Sequence, residues 1–179
     1  MKIYLIRHGE STGDVENRYG GSYDDLLTPR GRAQAGQLSG QLAGHKIELL
    51  YTSPYHRAYD TAQILAAGIG CEVAIVTDLR ERDYGVLSGM ERKAAAKKYP
   101  EAVDQHKNFH NTDPGGEGYE DFKNRVVNVF QKIADDTHYE TVAILTHGGP
   151  IKCLARETLG LGEIPDIGDC GFRVIETKK

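Results

Sequence analysis

Four short segments of this 179-residue sequence bring together residue types able to handle an anionic phosphorus centre. The first is Arg7-His8-Gly9-Glu10-Ser11. A neutral imidazole attacks phosphorus when one ring nitrogen keeps its lone pair and the other is held by an acceptor. Arg7 can ligate phosphate oxygens through its guanidinium fork, and its charge opposes protonation of the neighbouring ring. The bland alternative is a strand running into a turn, with Gly9 supplying backbone freedom. The second segment, Ser53 to Ala62, holds Arg57 in what reads as the first turn of a helix. The helix dipole opposes a cation there, so Arg57 needs another reason to occupy that position. An anion bound at the helix N-terminus is such a reason.

The third segment is Leu79-Arg80-Glu81-Arg82-Asp83-Tyr84-Gly85. Charge runs of this kind are usually solvated surface. The functional reading is that one of its carboxyls protonates a leaving alkoxide, a role that needs a raised pKa or a tightly shared proton. The fourth is Thr146-His147-Gly148-Gly149-Pro150. Its glycines expose backbone amides at a helix start, which suits an anion. His147 there can donate a hydrogen bond to phosphate.

The elements that must position these segments alternate along the chain. Strand patterns fall at Ile3 to Ile6, Ile47 to Thr52, Val73 to Thr77, Val142 to Thr146 and Phe172 to Glu176. Continuous apolar runs such as Val142-Ala143-Ile144-Leu145 suit strands covered on both faces. Thr28-Pro29 opens a helix that continues through Gln34 to Leu42, and Ser53-Pro54 repeats the device. Tyr119 to Ala134 carries Phe122, Val126, Val129, Phe130 and Ile133 at helical spacing, and Ile151 to Leu159 forms a further helix. This alternation predicts an α/β fold, a three-layer α/β/α sandwich around a mostly parallel sheet. Ligands of such sheets bind at the carboxyl ends of strands, where all four segments fall.

The segments RHGES, ENRYGG, SPYHRAYDTA, LRERDYG and LTHGG follow in the order and spacing of the histidine phosphatase superfamily. The chain resembles its phosphoglycerate mutase-like branch over Ile3 to about Leu161, most closely the small broad-specificity phosphatases. The resemblance implies that His8 is the nucleophile, with Arg7, Arg57 and His147 completing the phosphate pocket. It also implies that Glu81 is general acid and then general base, and that no metal or cofactor takes part. Gly148, Thr12, Asn17, Arg18 and Tyr84 are expected to contact or rim the substrate. Arg18 reads equally as a second anion site or as a surface charge. One position departs from the family pattern: Asp14 stands where the family usually has an asparagine that donates to phosphate. Thr12 is a substitute donor. The main alternative is a cofactor-dependent mutase-type phosphotransferase. Mutases carry an insertion and a C-terminal tail that covers the site, whereas this sequence stops at Lys179, shortly after its last strand. Without that cover water enters and hydrolysis is expected.

Composition bounds the remaining options. One domain over 1–179 is expected from the length. The net charge of −4 argues against a nucleic-acid partner, so any anion must be drawn by a local positive cluster. No apolar run reaches membrane length. Cys71, Cys153 and Cys170 form no CxxC pair and suggest reduced thiols in a cytoplasmic protein. A non-catalytic binding module would be expected to lose His8 or Glu81, and both are present. His106 and His110 stand i, i+4 on an expected helix, but no third metal ligand accompanies them. The expected partner is a small phosphorylated metabolite. No motif specifies its identity or an oligomeric state.

Overall fold

The computed structural model describes residues 1–136 and 138–177. Five strands form one sheet in the order β3-β2-β4-β1-β5. They are β1 (Lys2–Arg7), β2 (Leu49–Thr52), β3 (Glu72–Ile75), β4 (Thr141–Thr146) and β5 (Phe172–Glu176). Strands β1 to β4 run parallel, and β5 closes the edge antiparallel to β1. The helices are α1 (Thr12–Val15), α2 (Pro29–Leu42), α3 (His56–Ile69), α4 (Arg92–Lys98), α5 (Pro100–His106), α6 (Tyr119–Ala134) and α7 (Gly148–Glu157).

Alternation along the central strands builds the layers. Ile3 and Leu5 of β1, with Val142 and Ile144 of β4, pack with α6 and α7. Tyr4, Ile6, Ala143 and Leu145 point the other way and pack with α2 and α3. Both faces are therefore apolar, as a parallel sheet between helices requires. The three-layer α/β/α sandwich is the expected one. A smaller cluster of Tyr19, Leu87, Ala95 and Ala102 lies outside those layers and ties α4 and α5 to the loops following β1 and β3.

Several boundaries differ from expectation. Strand β3 ends at Ile75, and Thr77–Leu79 turns into a short 3-10 helix. Helix α7 starts at Gly148, three residues before Ile151, because the glycines adopt the first turn themselves. Helix α3 starts at His56 rather than behind Ser53-Pro54. The Asp24 carboxylate accepts from the His56 amide at 2.7 Å and caps the helix from a distant loop. Helix α4 has no counterpart in the sequence expectations, and α5 ends at His106 where a helix through His110 is expected. Their short segments carry few apolar positions, so no helical period stands out. His106 closes α5, and His110 lies beyond it, so the two do not share a helix face. Cys71, Cys153 and Cys170 are free thiols.

The loop after β1 is held to the start of α2 by backbone contact. Thr28 caps α2, its Oγ1 accepting from the Gly31 amide at 2.9 Å, and its own amide donates to the Glu10 carbonyl at 3.0 Å. A Cβ on Gly31 would lie 2.1 Å from that same carbonyl oxygen. Gly31→Ala should therefore cost about 1–3 kcal/mol of stability, the usual size of overpacking against backbone. Urea denaturation measures it, and a loss below about 0.5 kcal/mol would mean the loop is not locked in this way.

Candidate active site

The carboxyl ends of β1, β2 and β4, with the segment after β3, enclose a cavity of about 270 Å³. Its walls include Arg7, His8, Arg57, Glu81 and Gly148, drawn from all four chemistry-bearing segments.

His8 sits at the end of β1 and is 5% exposed. Its Nδ1 lies 2.8 Å from the Gly9 carbonyl. A carbonyl can only accept, so Nδ1 carries the proton and Nε2 keeps the lone pair. Arg57 Nε–H points at that Nε2 from 3.3 Å. Burial, then the charges of Arg57 and Arg7, hold the imidazole far below its ordinary range, at about 3. The Gly9 hydrogen bond and Asp25 oppose this shift and are outweighed. The ring is neutral at physiological pH, with its Nε2 lone pair facing Arg57 Nε–H at the cavity wall.

Arg57, at the second position of α3, is 3% exposed and pairs with the equally buried Asp25 at 2.7 Å. It also donates to the Tyr23 carbonyl at 2.6 Å. These partners fix the guanidinium across the ring of His8. Arg7 meets three carboxylates: Asp166 at 2.8 Å, Asp169 at 3.3 Å and Asp14 at 3.5 Å. Its Nε is buried without a hydrogen-bond partner among the described residues.

His147 is fully buried, its ring centroid 5.1 Å from that of His8. Its Nε2 is 2.8 Å from Ser53 Oγ, which accepts from the Tyr55 amide at 3.3 Å. With the serine hydroxyl donating to Nε2, the hydrogen of the neutral ring sits on Nδ1. That Nδ1 is buried with no partner among the described residues. Burial, with the charge of Arg57 next, holds this ring well below its usual pKa as well.

Glu81 is a buried carboxyl held by two amides. Oε1 accepts from Arg82 N at 2.8 Å, and Oε2 from Gly149 N at 3.0 Å. Position 149 must be glycine for this, since a Cβ would fall 2.0 Å from Glu81 Oε1. Gly148 occupies the first position of α7, where an amide has no intrahelical acceptor. Asp83, the other acid considered, is engaged by Ser22 Oγ at 2.8 Å and the Gly85 amide at 2.9 Å.

Arg18 and Tyr84 line the cavity, whereas Thr12 and Asn17 do not. The Thr12 amide is bonded to the Leu26 carbonyl. Arg18 pairs with Glu16 and donates to the Gly89 carbonyl at 2.8 Å. Asp14 lines the wall in two structural roles. Its Oδ2 accepts from Ser11 N at 2.9 Å and Ser11 Oγ at 2.7 Å in a capping box, and its Oδ1 faces Arg7. Asp25, Arg92, Lys152 and Asp166 also line the cavity and carry no signal in the four motifs.

Comparison with known proteins adds to this geometry. The model of the histidine phosphatase superfamily, branch 1, matches residues 3–172. A phosphoglycerate mutase-like protein 4 of Arabidopsis thaliana is 36% identical over 86% of this chain and 69% of its own length. A metal-independent phosphoserine phosphatase of the same plant is 33% identical over 86% of the chain and 66% of its length. The chain spans less of some mycobacterial relatives, 45% of their length. Among solved structures, Bacillus stearothermophilus YhfR superposes with a TM-score of 0.91 at 30% identity, over 99% of this chain and 91% of that one.

The Arg57–Asp25 pair is the most deeply buried charge pair of the site. Asp25→Ala should cost about 3–5 kcal/mol, because it leaves Arg57 buried and unpaired. It should also weaken inhibition by vanadate, since Arg57 loses its anchor. Denaturation and inhibition curves measure both, and a loss of stability below about 1 kcal/mol would contradict the assignment.

Proposed function

The chain belongs to the histidine phosphatase superfamily, branch 1, and is a phosphatase, and we propose that it hydrolyses phosphomonoesters through a phosphohistidine on His8 without a metal. The observation that carries this reading is the His8 ring: buried, neutral, protonated on Nδ1 and flanked by two arginines.

The phosphate group binds between Arg7, Arg57, the His147 Nδ1–H and the Gly148 amide. These groups neutralise the charge that spreads over the equatorial oxygens in transfer. His8 Nε2 attacks phosphorus as the bond to the leaving oxygen breaks. Glu81, as the general acid, gives a proton to that oxygen, so the alcohol departs neutral. Positive charge growing on the imidazole is stabilised by the Gly9 carbonyl on Nδ1–H. The Glu81 carboxylate then takes a proton from water, whose oxygen attacks phosphorus. The P–N bond breaks, inorganic phosphate forms, and neutral His8 and protonated Glu81 are restored.

One relative bears on the reading. A relative 33% identical is a metal-independent phosphoserine phosphatase, which also favours hydrolysis and a small phosphorylated metabolite as substrate. No helix among the described residues is long and apolar enough to cross a membrane.

Rapid-quench kinetics with and without EDTA test the proposal. Wild type should form an acid-labile phosphoenzyme in either buffer, and His8→Ala should form none. Glu81→Gln should slow phosphorylation by an alkyl phosphate about 10²–10⁴-fold and by p-nitrophenyl phosphate much less. An acid-stable phosphoenzyme, or a strict requirement for added metal, contradicts it.

A further inference from the structure

A second cavity, of about 140 Å³, lies against the first. Tyr84, Gly149 and Lys152 line both. The remaining walls include Phe109, Tyr119 and Phe122, whose rings contact one another with centroids 5.1 and 6.4 Å apart. Arginines stiffen this box from its walls. Arg156 stacks 4.0 Å from the Phe109 centroid, and Arg82, held by three backbone carbonyls, lies over Tyr119 and Phe122.

Asp113 also lines this cavity and is 3% exposed. Its Oδ2 is bound to His106 Nδ1 at 2.8 Å. Its Oδ1 is buried without a hydrogen-bond partner among the described residues. A buried carboxylate oxygen without a donor is costly, and a ligand donor offsets that cost.

Resting on the phosphatase reading, we propose that this cavity takes the leaving group of the substrate, and that this group is a single planar ring bearing a hydrogen-bond donor. Three observations converge. Gly149 holds the acid Glu81 and also lines the second cavity, so an ester oxygen protonated by Glu81 directs its organic substituent past Gly149 and Tyr84 into it. The aromatic walls favour a planar ring over a short polar chain. In size the cavity, whose rim also carries charged and polar side chains, matches one ring, since about 150 Å³ holds benzene. Asp113 Oδ1 then accepts from the ring's donor, and the phosphate remains on His8.

Competitive inhibition by phosphonates separates binding from leaving-group chemistry, because their P–C bond is not hydrolysed. Benzylphosphonate should bind about ten- to a hundredfold tighter than methylphosphonate, the range expected for burying one ring. 1-Naphthylmethylphosphonate should bind no tighter than benzylphosphonate. Among the three hydroxybenzylphosphonates at least one should improve on benzyl, and Asp113→Leu should remove that improvement. Asn108→Trp, on an exposed position of the cavity wall, should reduce the benzyl-to-methyl ratio toward one. Equal inhibition by methyl- and benzylphosphonate in an enzyme that forms its phosphohistidine overturns the ring subsite alone. A naphthyl preference, or a ratio untouched by Asn108→Trp, also overturns it. Failure of every phosphonate to bind, together with no phosphohistidine, overturns the underlying phosphatase reading.

Discussion

The site must keep two guanidinium groups and a neutral imidazole side by side where water is scarce. Arginine cannot give up its proton there, so the charge has to be balanced by neighbours and the adjustment falls on histidine. Asp25 balances Arg57, the carboxylates around Arg7 balance that side, and His8 stays unprotonated between them. Protonated, the imidazole would add a third cation and lose its lone pair. In the proposed mechanism, the same electrostatics that would attract phosphate also keep His8 available as the nucleophile.

The rest of the fold serves this arrangement. Strands β1 and β4 are adjacent and parallel, with Arg7 registered against Thr146, so His8 and His147 leave the sheet as neighbours. Gly9 and Gly31 let the loop after β1 lie on α2, which holds His8 in place. Ser53, directly after β2, hydrogen-bonds His147 Nε2 across the sheet. Gly149 admits Glu81 against the start of α7. Each contact crosses between elements distant in sequence, so local propensity alone could not have assembled them. Arg7 is paired with Asp14, Asp166 and Asp169, so a phosphate bound there as proposed would compete with these carboxylates.

Much of this was legible in the sequence, for physical reasons that differ by residue. His8, Arg7, Arg57, Glu81 and His147 stand in compact motifs at strand ends, and the apolar runs of β1 and β4 declared a doubly covered sheet. Helix α6 was readable over its whole length because its buried face is continuous. Asp25 was not, since it lies thirty-two positions from Arg57 and nothing in a linear reading pairs them. Asp24 as a remote cap of α3 is the same case, which is why Ser53-Pro54 looked like the helix opening. Lys152 reads as one solvated helix charge until the fold places it on the walls of both cavities. Asp14 departs from the family pattern, and its partners, Ser11 in a capping box and Arg7, appear only in the fold.

The account turns on the protonation state of His8, which nitrogen-15 NMR of the ring reads directly. Across neutral and mildly acid pH, His8 should show the neutral Nδ1–H tautomer, with Nε2 at the shift of an unprotonated nitrogen. Its titration should lie near 3 rather than near 6.5. In His8→Asn the assigned signal should vanish. A His8 ring that titrates close to 6.5, or one that carries its proton on Nε2 at neutral pH, would contradict the claim that the two arginines and burial hold a ready nucleophile.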